Sequence, residues 1–247
     1  MKKSLCVIPA RMGSSRFPGK PLKKICGKEM VGYCYENAIK SQGFDYVCIA
    51  TPDEEIISFC KEKNFNVVLT SNTHERCTSR TLEALHMLEE KTKNEFSKIV
   101  MLQGDEPLIS PKMLQECLNG LSDWDVVNLA SEIKSDEEHG DINEVKVVFS
   151  KNMKAIYFSR AKIPSTKDNF STKAFKQVCA IGFSKNKLEL FESLKPSTYE
   201  IYESIDMNRF IENEIDIGII KVNGEIASVD TLEDLQKVEG IISRDER

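Results

Sequence analysis

The sequence has few histidines and no clustered metal ligands. Of the 247 residues only three are histidine, and His74, His86 and His139 are far apart in the chain. The eight cysteines include no C-x-x-C pair, and most stand in apolar stretches such as YVCIA. Because a structural zinc site needs ligands at short spacing, the sequence does not indicate one, and we interpret the cysteines as buried, reduced thiols.

Long apolar runs and an excess of positive charge are also missing. No window approaches the roughly 20 apolar residues of a membrane-spanning helix, and the apolar run 5–10 is too short for a signal peptide. The net charge is −5, which does not favour binding of the whole chain to nucleic acid or to an anionic membrane. We therefore expect a cytoplasmic protein with no nucleic-acid or membrane partner.

The two common glycine-rich nucleotide motifs are absent as well. G-x-x-x-x-G-K-[ST] fails because Lys20 is followed by Pro21, and G-x-G-x-x-G does not occur. In their place stands IPARMGSSRFPGKPL, residues 8–22, which has three cations, two hydroxyls and two glycines: Arg11, Arg16, Lys20, Ser14, Ser15, Gly13 and Gly19. Charge-assisted hydrogen bonds from such groups are strong, so the stretch predicts a triphosphate-binding loop. The alternative is a solvated basic turn.

Strands and helices alternate in the first half of the chain. The pattern predicts strands at 4–10, 46–51, 66–70 and 98–107, and helices at 29–41, 53–64, 78–92 and 111–121. Crossovers of this length are typical of a parallel, doubly wound sheet, in which ligands bind at the carboxyl ends of the strands. The 8–22 loop and the acidic stretch QGDEP, 103–107, both follow strands, so we expect them at the same edge.

The second half is predicted to differ, because its strands follow one another without helices between them. The predicted strands are 126–131, 144–150, 155–160, 176–184 and 217–222, and the predicted helices are 188–194, 199–213 and 231–243. The strands 144–150 and 155–160 should form a hairpin. The fold class is therefore α/β, with a mostly parallel central sheet and an inserted antiparallel lobe.

Two carboxylates are candidate metal ligands. Asp105 comes just after a buried strand, where a carboxylate is costly unless a cation meets it. Mg²⁺ prefers one or two carboxylates together with substrate phosphate oxygens. Asp230 also follows an apolar strand, with the alternative that it caps the last helix. A basic loop and an acidic strand end at one sheet edge indicate a nucleotidyl transfer.

Four motifs in order resemble those of the 3-deoxy-manno-octulosonate cytidylyltransferases (CMP-Kdo synthetases). They are IPARMGSSRFPGKPL, VMLQGDEPLI, EVKVVFS with AIYFSRAKIP, and SVDTLEDLQKV, and they cover nearly the whole chain. The resemblance implies a Rossmann-like nucleotidyltransferase fold, a homodimer, and a requirement for CTP and Mg²⁺. It implies a single domain, 1–247, divided into a nucleotide-binding half (1–125), an acceptor-binding and dimerisation lobe (126–228), and a metal-ligand loop with the closing helix (229–247).

The resemblance also implies roles for individual residues. Lys20, Asp105 and Asp230 are expected to be catalytic, and the two aspartates to bind Mg²⁺. The expected CTP-binding residues are Ala10, Arg11, Gly13, Ser14, Arg16, Lys20, Arg80 and Gln103. The implied reaction joins the anomeric hydroxyl of an acidic sugar to the α-phosphate of CTP and releases pyrophosphate, for surface glycan biosynthesis.

Departures from the family pattern fall on the acceptor side. The family reads HxSGTER where this chain has His74-Glu75-Arg76-Cys77-Thr78-Ser79-Arg80, and HxGIY where it has 177–181. The family's Glu-Gln pair on the next helix aligns with Asp206-Met207. The resemblance thus implies that the acceptor-binding residues are Arg76, Gln177, Ile181, Asp206 and Met207. We expect the acceptor to be Kdo or a related 2-keto-3-deoxy acid. The alternatives are a different small anionic acceptor, possibly not a sugar, and a non-catalytic nucleotide-binding protein.

Overall fold

The computed structural model describes residues 2–14, 16–165 and 173–245. Its strands are β1 (Lys3–Pro9), β2 (Lys24–Ile25), β3 (Lys28–Glu29), β4 (Tyr46–Thr51), β5 (Val67–Leu69), β6 (Phe96–Leu102), β7 (Val126–Glu132), β8 (Lys146–Phe149), β9 (Ala155–Ser159), β10 (Phe175–Ser184) and β11 (Gly218–Val222). Its helices are α1 (Met30–Lys40), α2 (Glu54–Glu62), α3 (Cys77–Thr92), α4 (Pro111–Gly120), α5 (Asp136–Gly140), α6 (Lys185–Ser193), α7 (Thr198–Glu203), α8 (Met207–Glu212) and α9 (Leu232–Asp245).

The main sheet confirms the predicted mixed α/β class. Its strand order is β11-β7-β10-β6-β1-β4-β5. The pairs β1–β4, β1–β6, β4–β5 and β7–β11 are parallel, whereas β10 runs antiparallel to both β6 and β7. The hairpin β8–β9 joins the sheet through β8, which pairs with the start of β10. The antiparallel lobe is therefore built on a strand of the central sheet itself.

The antiparallel direction of β10 brings its first half to the edge of the sheet where ligands are expected to bind. Ala180 pairs with Leu102 at the carboxyl end of β6, and Ser184 pairs with Lys98 further back. The first half of β10 therefore lies beside the carboxyl ends of the parallel strands, where ligands of such sheets bind. Side chains from 177–181 thus face the same edge as the loop after β1.

Apolar side chains cover both faces of the sheet. One cluster contains Leu5, Val7, Ile99 and Phe183 with side chains of α3, α6 and α8. The other contains Cys6, Ile8, Val100 and Leu102 with side chains of α1, α2 and α4. Consecutive residues of β1 alternate between the two clusters, as expected for a strand buried on both faces.

The cysteines are mostly part of this core. Cys6, Cys34, Cys48, Cys60 and Cys117 are buried and unpaired, which agrees with the predicted reduced thiols. The other three are half-buried: Cys26, Cys77 and Cys179. Within the described ranges, no helix is long and apolar enough to cross a bilayer.

Two predicted elements end differently in the structure. The predicted helix 199–213 is wrong as a single helix: α7 ends at Glu203, Ser204 takes a left-handed φ of 56°, and α8 begins at Met207. At the break the Ser204 amide donates to the Glu200 carbonyl, which ends α7, and hydrogen bonds from Arg76 and Thr78 hold the side chains of Ser204 and Asp206. The predicted strand 98–107 is shortened as well, since β6 ends at Leu102 and QGDEP forms a turn.

Candidate active site

One cleft at the carboxyl ends of β1 and β6 brings together nearly all of the predicted site residues. Its volume is about 420 Å³, which suits a small-molecule ligand. The predicted residues that line it are Ala10, Arg11, Gly13, Ser14, Arg16, Lys20, Arg76, Gln103, Asp105, Gln177, Ile181, Asp206, Met207 and Asp230. Arg80 is not among the lining residues, and Ser15 lies outside the described residues.

The loop after β1 is fixed by backbone hydrogen bonds. The amide of Met12 donates to Asp53 Oδ2 at 2.7 Å, and the amide of Gly19 donates to the Met12 carbonyl at 2.9 Å. Gly19 closes this turn with a φ of 72°, a left-handed conformation that glycine adopts without strain. Arg11 is exposed and makes no hydrogen bond or ion pair with another described residue. A fixed loop with a free guanidinium is suited to anion binding.

Asp53 has a different role from the one its position indicates. It stands at the N-cap of α2, as its sequence position predicts, but its side chain makes no hydrogen bond to that helix. Its carboxylate instead accepts from the Met12 amide. The residue therefore ties the loop after β1 to the loop after β4.

Two carboxylates meet at one ammonium group in the cleft. Lys20 Nζ lies 2.6 Å from Asp105 Oδ2 and 2.9 Å from Asp230 Oδ1. Arg16 Nη2 lies 3.0 Å from Asp230 Oδ2. Burial acts to lower the pKa of Lys20, but the two carboxylates outweigh it, and the pKa is raised above its usual value. Lys20 therefore stays charged at every physiological pH.

Asp230 does not cap the closing helix, which was the alternative to a metal-binding role. Thr231 does so instead: its Oγ1 accepts from the Asp234 amide at 3.2 Å, and Asp234 Oδ2 accepts from the Thr231 amide at 2.9 Å. Thr231 and Asp234 thus form a capping box, which begins one residue after Asp230. The Asp230 carboxylate is thereby left to face the cleft.

A buried contact joins the loops that carry the two aspartates. Ser228 Oγ donates to Glu106 Oε1 at 2.7 Å, and the Val229 amide donates to the Asp105 carbonyl at 2.9 Å. Glu106 is 1% exposed, and its Oε2 has no partner among the described residues. Burial, reinforced by the neighbouring Asp105 charge, raises the pKa of Glu106 to about 7. Glu106 lies within the quoted motif QGDEP but was assigned no role from the sequence.

Close backbone approach brings the QGDEP turn against the loop after β1. The amide of Gly104 donates to the Pro9 carbonyl at 3.3 Å. A Cβ on Gly104 would meet both the Ala10 Cβ and the Pro9 oxygen at 3.2 Å. The turn is also held from β10, because the Gln103 amide donates to the Cys179 carbonyl at 3.0 Å. Gly104 stands in the quoted QGDEP but was assigned no role from the sequence.

The side of the cleft that is predicted to bind the acceptor contains a second charged pair. Arg76 Nη1 lies 3.4 Å from Asp206 Oδ1 and donates to Ser204 Oγ at 3.1 Å. Thr78 Oγ1 donates to Asp206 Oδ2 at 2.7 Å. Burial raises the pKa of Asp206, while the Thr78 hydroxyl and the Arg76 charge act against the rise. Arg76 is therefore a paired residue of the cleft wall and not a free surface arginine.

The remaining acceptor-side residues form a largely apolar wall. Ile181 is 2% exposed and Met207 is fully buried, and both line the cleft. Gln177 is the polar member, and its Nε2 donates to Asn128 Oδ1 at 2.6 Å. Cys77 lines the same wall, and burial raises its pKa to about 12, so its thiol stays neutral. This wall offers few free hydrogen-bonding groups.

Arg80 is buried behind the cleft and holds the loop after β5. Its Nη1 donates to Thr70 Oγ1 at 2.6 Å and to the Ser71 carbonyl at 2.9 Å. His74, in the same loop, lies 2.6 Å from Glu83 Oε2. Burial lowers the pKa of Arg80. The guanidinium of Arg80 is thus engaged with this loop and does not line the cleft. That Arg80 binds CTP stays a prediction.

Arg160 and Asn143 line the cleft without having been assigned from the sequence. Arg160 Nε donates to the Glu203 carbonyl at 2.7 Å, and its Nη1 donates to the Ile142 carbonyl at 3.0 Å. Asn143 Oδ1 accepts from Arg16 Nη1 at 2.6 Å. Arg160 ends the quoted segment AIYFSR, so the motif contained it. Nothing in the sequence indicated Asn143.

The donor set suits a magnesium ion supported by substrate phosphates. Across the described residues, no three side chains of His, Cys, Asp or Glu form a metal site. Asp105 and Asp230 are nevertheless close enough to share one cation, since both contact Lys20 Nζ. Mg²⁺ is commonly held by one or two carboxylates together with substrate phosphates. Two carboxylates beside a basic loop fit that arrangement.

The fold and the cleft together define an α/β nucleotidyltransferase. The family model described as cytidylyltransferase matches residues 5–217. A 3-deoxy-manno-octulosonate cytidylyltransferase from Lawsonia intracellularis is 37% identical over 241 residues, which cover 96% of this chain and 93% of that protein. An 8-amino-3,8-dideoxy-manno-octulosonate cytidylyltransferase from Shewanella pealeana is 33% identical, covering 97% of this chain and 98% of that protein.

A solved structure is similar over the whole chain. The structure of CMP:2-keto-3-deoxy-manno-octonic acid synthetase complexed with CTP superimposes with a TM-score of 0.89, at 33% identity. The superposition covers 99% of this chain and 100% of the chain in that structure. The chain belongs to the cytidylyltransferase family, and the resemblance inferred from its motifs is confirmed.

Proposed function

We propose that this chain transfers CMP from CTP to the anomeric hydroxyl of Kdo or a closely related 2-keto-3-deoxy acid. The observation that carries the proposal is a single cleft with the Lys20–Asp105–Asp230 cluster on one side and the Arg76–Asp206 pair on the other. The relatives named above use Kdo or its 8-amino analogue, which supports this substrate class.

The residues of the loop after β1 bind and orient the triphosphate. Arg11, unpaired among the described residues, is free to contact phosphate oxygens, and Arg16 and Lys20 line the same cleft. The acceptor hydroxyl oxygen attacks the α-phosphorus and forms a new P–O bond, while the bond from the α-phosphorus to the bridging oxygen breaks. Pyrophosphate leaves with that electron pair, and the hydroxyl proton goes to water. Positioning and charge stabilisation are what such a transfer requires from the protein.

Asp105 and Asp230 are the residues that would hold Mg²⁺. When bound there, Mg²⁺ would neutralise phosphate charge and make the acceptor hydroxyl more acidic. Lys20 and Arg16 stabilise the charge that builds up on the leaving pyrophosphate. The Arg76–Asp206 pair and the apolar wall orient the acceptor and exclude water from the reacting atoms.

Three further features belong to this proposal. A homodimer is supported by exposed apolar side chains on β9 and α7, where Ile156 is 56%, Ile201 60% and Tyr202 82% exposed. A cytoplasmic location is supported by the need for CTP and by unpaired thiols. A CMP-activated acidic sugar would serve the assembly of a surface glycan. Sedimentation of wild type and Tyr202→Glu tests the dimer, which we expect to dissociate in the variant; an unchanged dimer would remove Tyr202 from the interface.

An acceptor panel tests the proposed reaction. Pyrophosphate release from CTP with Mg²⁺ is measured with Kdo, 8-amino-Kdo, a sialic acid and small phosphonates. We expect release with Kdo or its analogue and little with the others. Release only with a non-sugar acid would replace the substrate class, and binding of CTP with no release for any acid would favour a non-catalytic protein.

A further inference from the structure

On the nucleotide side of the cleft, two of the three cations are already paired with carboxylates of the same side, and only Arg11 is unpaired among the described residues. Two cations, Lys20 and Arg16, are paired with two carboxylates, Asp105 and Asp230, through contacts of 2.6 to 3.0 Å. The proposed ligands of this side bring both a highly charged triphosphate and a divalent cation. Each therefore has to compete with an ion pair that already exists.

Lys20 occupies its position with all three of its hydrogens engaged. Its ammonium donates to Asp105 Oδ2 at 2.6 Å, to Asp230 Oδ1 at 2.9 Å and to the Val229 carbonyl at 3.1 Å. The side chains of Lys20, Asp105 and Asp230 are only 14%, 20% and 24% exposed. Charge-assisted hydrogen bonds that are partly shielded from water are among the stronger polar contacts in proteins.

The oxygens that Lys20 uses are those that a divalent cation needs. Asp230 Oδ1 and Asp105 Oδ2 face the ammonium, and Asp230 Oδ2 faces Arg16. Both oxygens of Asp230 are therefore engaged, and a metal ion that bridged the two carboxylates would have to displace Lys20 or Arg16 from Asp230. A displaced Lys20 would then need another anionic partner within reach of its flexible side chain.

A bound triphosphate supplies that partner. Lys20 directly follows Gly19 at the end of the loop after β1, and its main chain is fixed by the 3₁₀ turn that it begins. A change in its side-chain torsions alone can therefore redirect its ammonium, without moving the loop. Arg16 is freer still, with 49% of its side chain exposed.

We propose that Lys20 is an exchangeable counter-ion, which holds Asp105 and Asp230 together before nucleotide binds and moves to the triphosphate afterwards. The carboxylate pair then accepts a divalent cation only together with nucleotide. This inference rests on the proposed function, in which CTP and Mg²⁺ share the cleft. Coupling of this kind is reciprocal, so metal and nucleotide each favour binding of the other to the protein.

Metal binding without nucleotide tests the inference directly. Mn²⁺, used in place of Mg²⁺, is titrated into wild type and into Lys20→Met, and protein-bound Mn²⁺ is measured by electron paramagnetic resonance. We expect weak binding to wild type and binding tighter by about tenfold or more in Lys20→Met, within the range of coupling between protein sites. Thermal unfolding gives a second readout: Mn²⁺ should stabilise Lys20→Met and leave wild type nearly unchanged.

Two control variants locate the effect. Lys185→Met makes the same change in net charge beside the carboxylates of Glu89 and Glu189, away from the cleft, and should bind Mn²⁺ as wild type does. Lys20→Met combined with Asp105→Asn should lose the gain. Equal gains in both lysine variants would indicate non-specific attraction and overturn the inference.

A nucleotide arm separates this inference from the proposed function. Wild type is titrated with Mn²⁺ and CTP, without acceptor, and water-proton relaxation reports the ternary complex. We expect protein-bound Mn²⁺ to appear with CTP. Tight binding of Mn²⁺ to wild type without CTP would overturn the inference and leave the proposed function standing. No protein-bound metal under any condition would overturn both.

Discussion

The two sides of the cleft hold their charges in different ways. On the nucleotide side, Lys20 bridges Asp105 and Asp230 through the carboxylate oxygens themselves. On the acceptor side, neutral hydroxyls support the charged pair: Asp206 accepts from Thr78 at 2.7 Å, closer than its 3.4 Å contact with Arg76. The first arrangement is ionic throughout, whereas in the second a neutral hydroxyl makes the shortest contact. In the proposed function the first side carries the chemistry and the second the choice of acceptor.

Removing one carboxylate of the nucleotide side should have the largest effect. In Asp105→Asn the neutral amide cannot balance a cation, so we expect kcat to fall by about 10²-fold or more, with the fold retained. Steady-state pyrophosphate release measures kcat, and circular dichroism measures whether the fold is retained. Asp216→Asn, on the surface beside Lys154, is the matched control and should leave kcat unchanged. An Asp105→Asn enzyme within about threefold of wild type would remove Asp105 from the chemistry.

A smaller effect is expected from loosening the contact between the two acidic loops. Ser228→Ala removes the hydrogen bond to Glu106 Oε1 and leaves a buried carboxyl without a partner. We expect a loss of about 1 to 3 kcal/mol in the free energy of unfolding. Misplacement of Asp230 should also lower kcat/KM for CTP by roughly tenfold.

The matched control for this variant is another buried serine. Ser131 Oγ is buried and has no hydrogen-bond partner among the described residues, so Ser131→Ala should change stability little. Denaturant unfolding of both variants gives the comparison. Equal losses in the two would mean that the Ser228–Glu106 bond contributes nothing specific.

Changing the acceptor wall should alter preference and leave CTP use intact. Gln177→His combined with Ile181→Tyr places the residues of the family pattern at two positions that line the cleft. Because unpaired polar groups are penalised when the wrong ligand binds, we expect the ratio of kcat/KM between Kdo and its 8-amino analogue to change severalfold. The KM for CTP should stay within about twofold. A changed KM for CTP with an unchanged ratio would contradict the separation of the two sides.

The smallest effect concerns Glu203, which supports the acceptor side from behind. Its carboxylate accepts from Ser159 Oγ at 2.6 Å and from the Arg160 amide at 2.8 Å. Burial acts to raise the pKa of Glu203, but these hydrogen bonds outweigh it and the pKa is lowered below its usual value of 4.5. Its contribution to stability is therefore complete above about pH 4.5 and is lost as the pH falls through the lowered pKa.

Glu203→Gln tests this dependence on pH. The amide keeps one acceptor oxygen, but its NH2 group cannot accept the second hydrogen bond, so at pH 7 we expect a loss of about 1 kcal/mol in the free energy of unfolding. The difference from wild type should shrink as the pH is lowered below about 4.5. A difference that is constant from pH 7 down to pH 3 would show that the ionised carboxylate is not what matters.

Much of the fold was predictable because its elements have strong local signals. The alternation of apolar runs and amphipathic helices indicated the mostly parallel sheet, and the helix predicted at 111–121 begins at Pro111 in the structure, where Ser110 Oγ accepts from the Met113 amide. The break at Ser204 was not predictable. Ser204 has a left-handed conformation, and the side chains that contact Ser204 and Asp206, Arg76 and Thr78, lie more than a hundred positions away in the sequence.

The site was predictable where charge and motif coincide. The loop after β1 and Asp105 line one cleft, as strand-end geometry indicated, and Asp230, which the resemblance to the family indicated, lines it too. The hydrogen-bond partners of the individual side chains were not predictable, because they depend on the direction of side chains in loops that are distant in the sequence. Periodicity could not distinguish Arg80, which faces inwards to Thr70, from Arg11, which faces the cleft, nor show that Thr231 caps α9 in place of Asp230.

The central claim, cytidylyl transfer in this cleft, is tested most directly by phosphorus NMR of one reaction. CTP, Mg²⁺ and Kdo are incubated with the enzyme, and the phosphorus signals are followed over time. We expect a phosphodiester signal of a CMP-sugar and a pyrophosphate signal to grow in equal amounts as CTP is consumed, and Asp105→Asn to slow both together. Loss of CTP to CDP and phosphate, or no loss of CTP with Kdo or its 8-amino analogue, would contradict the account.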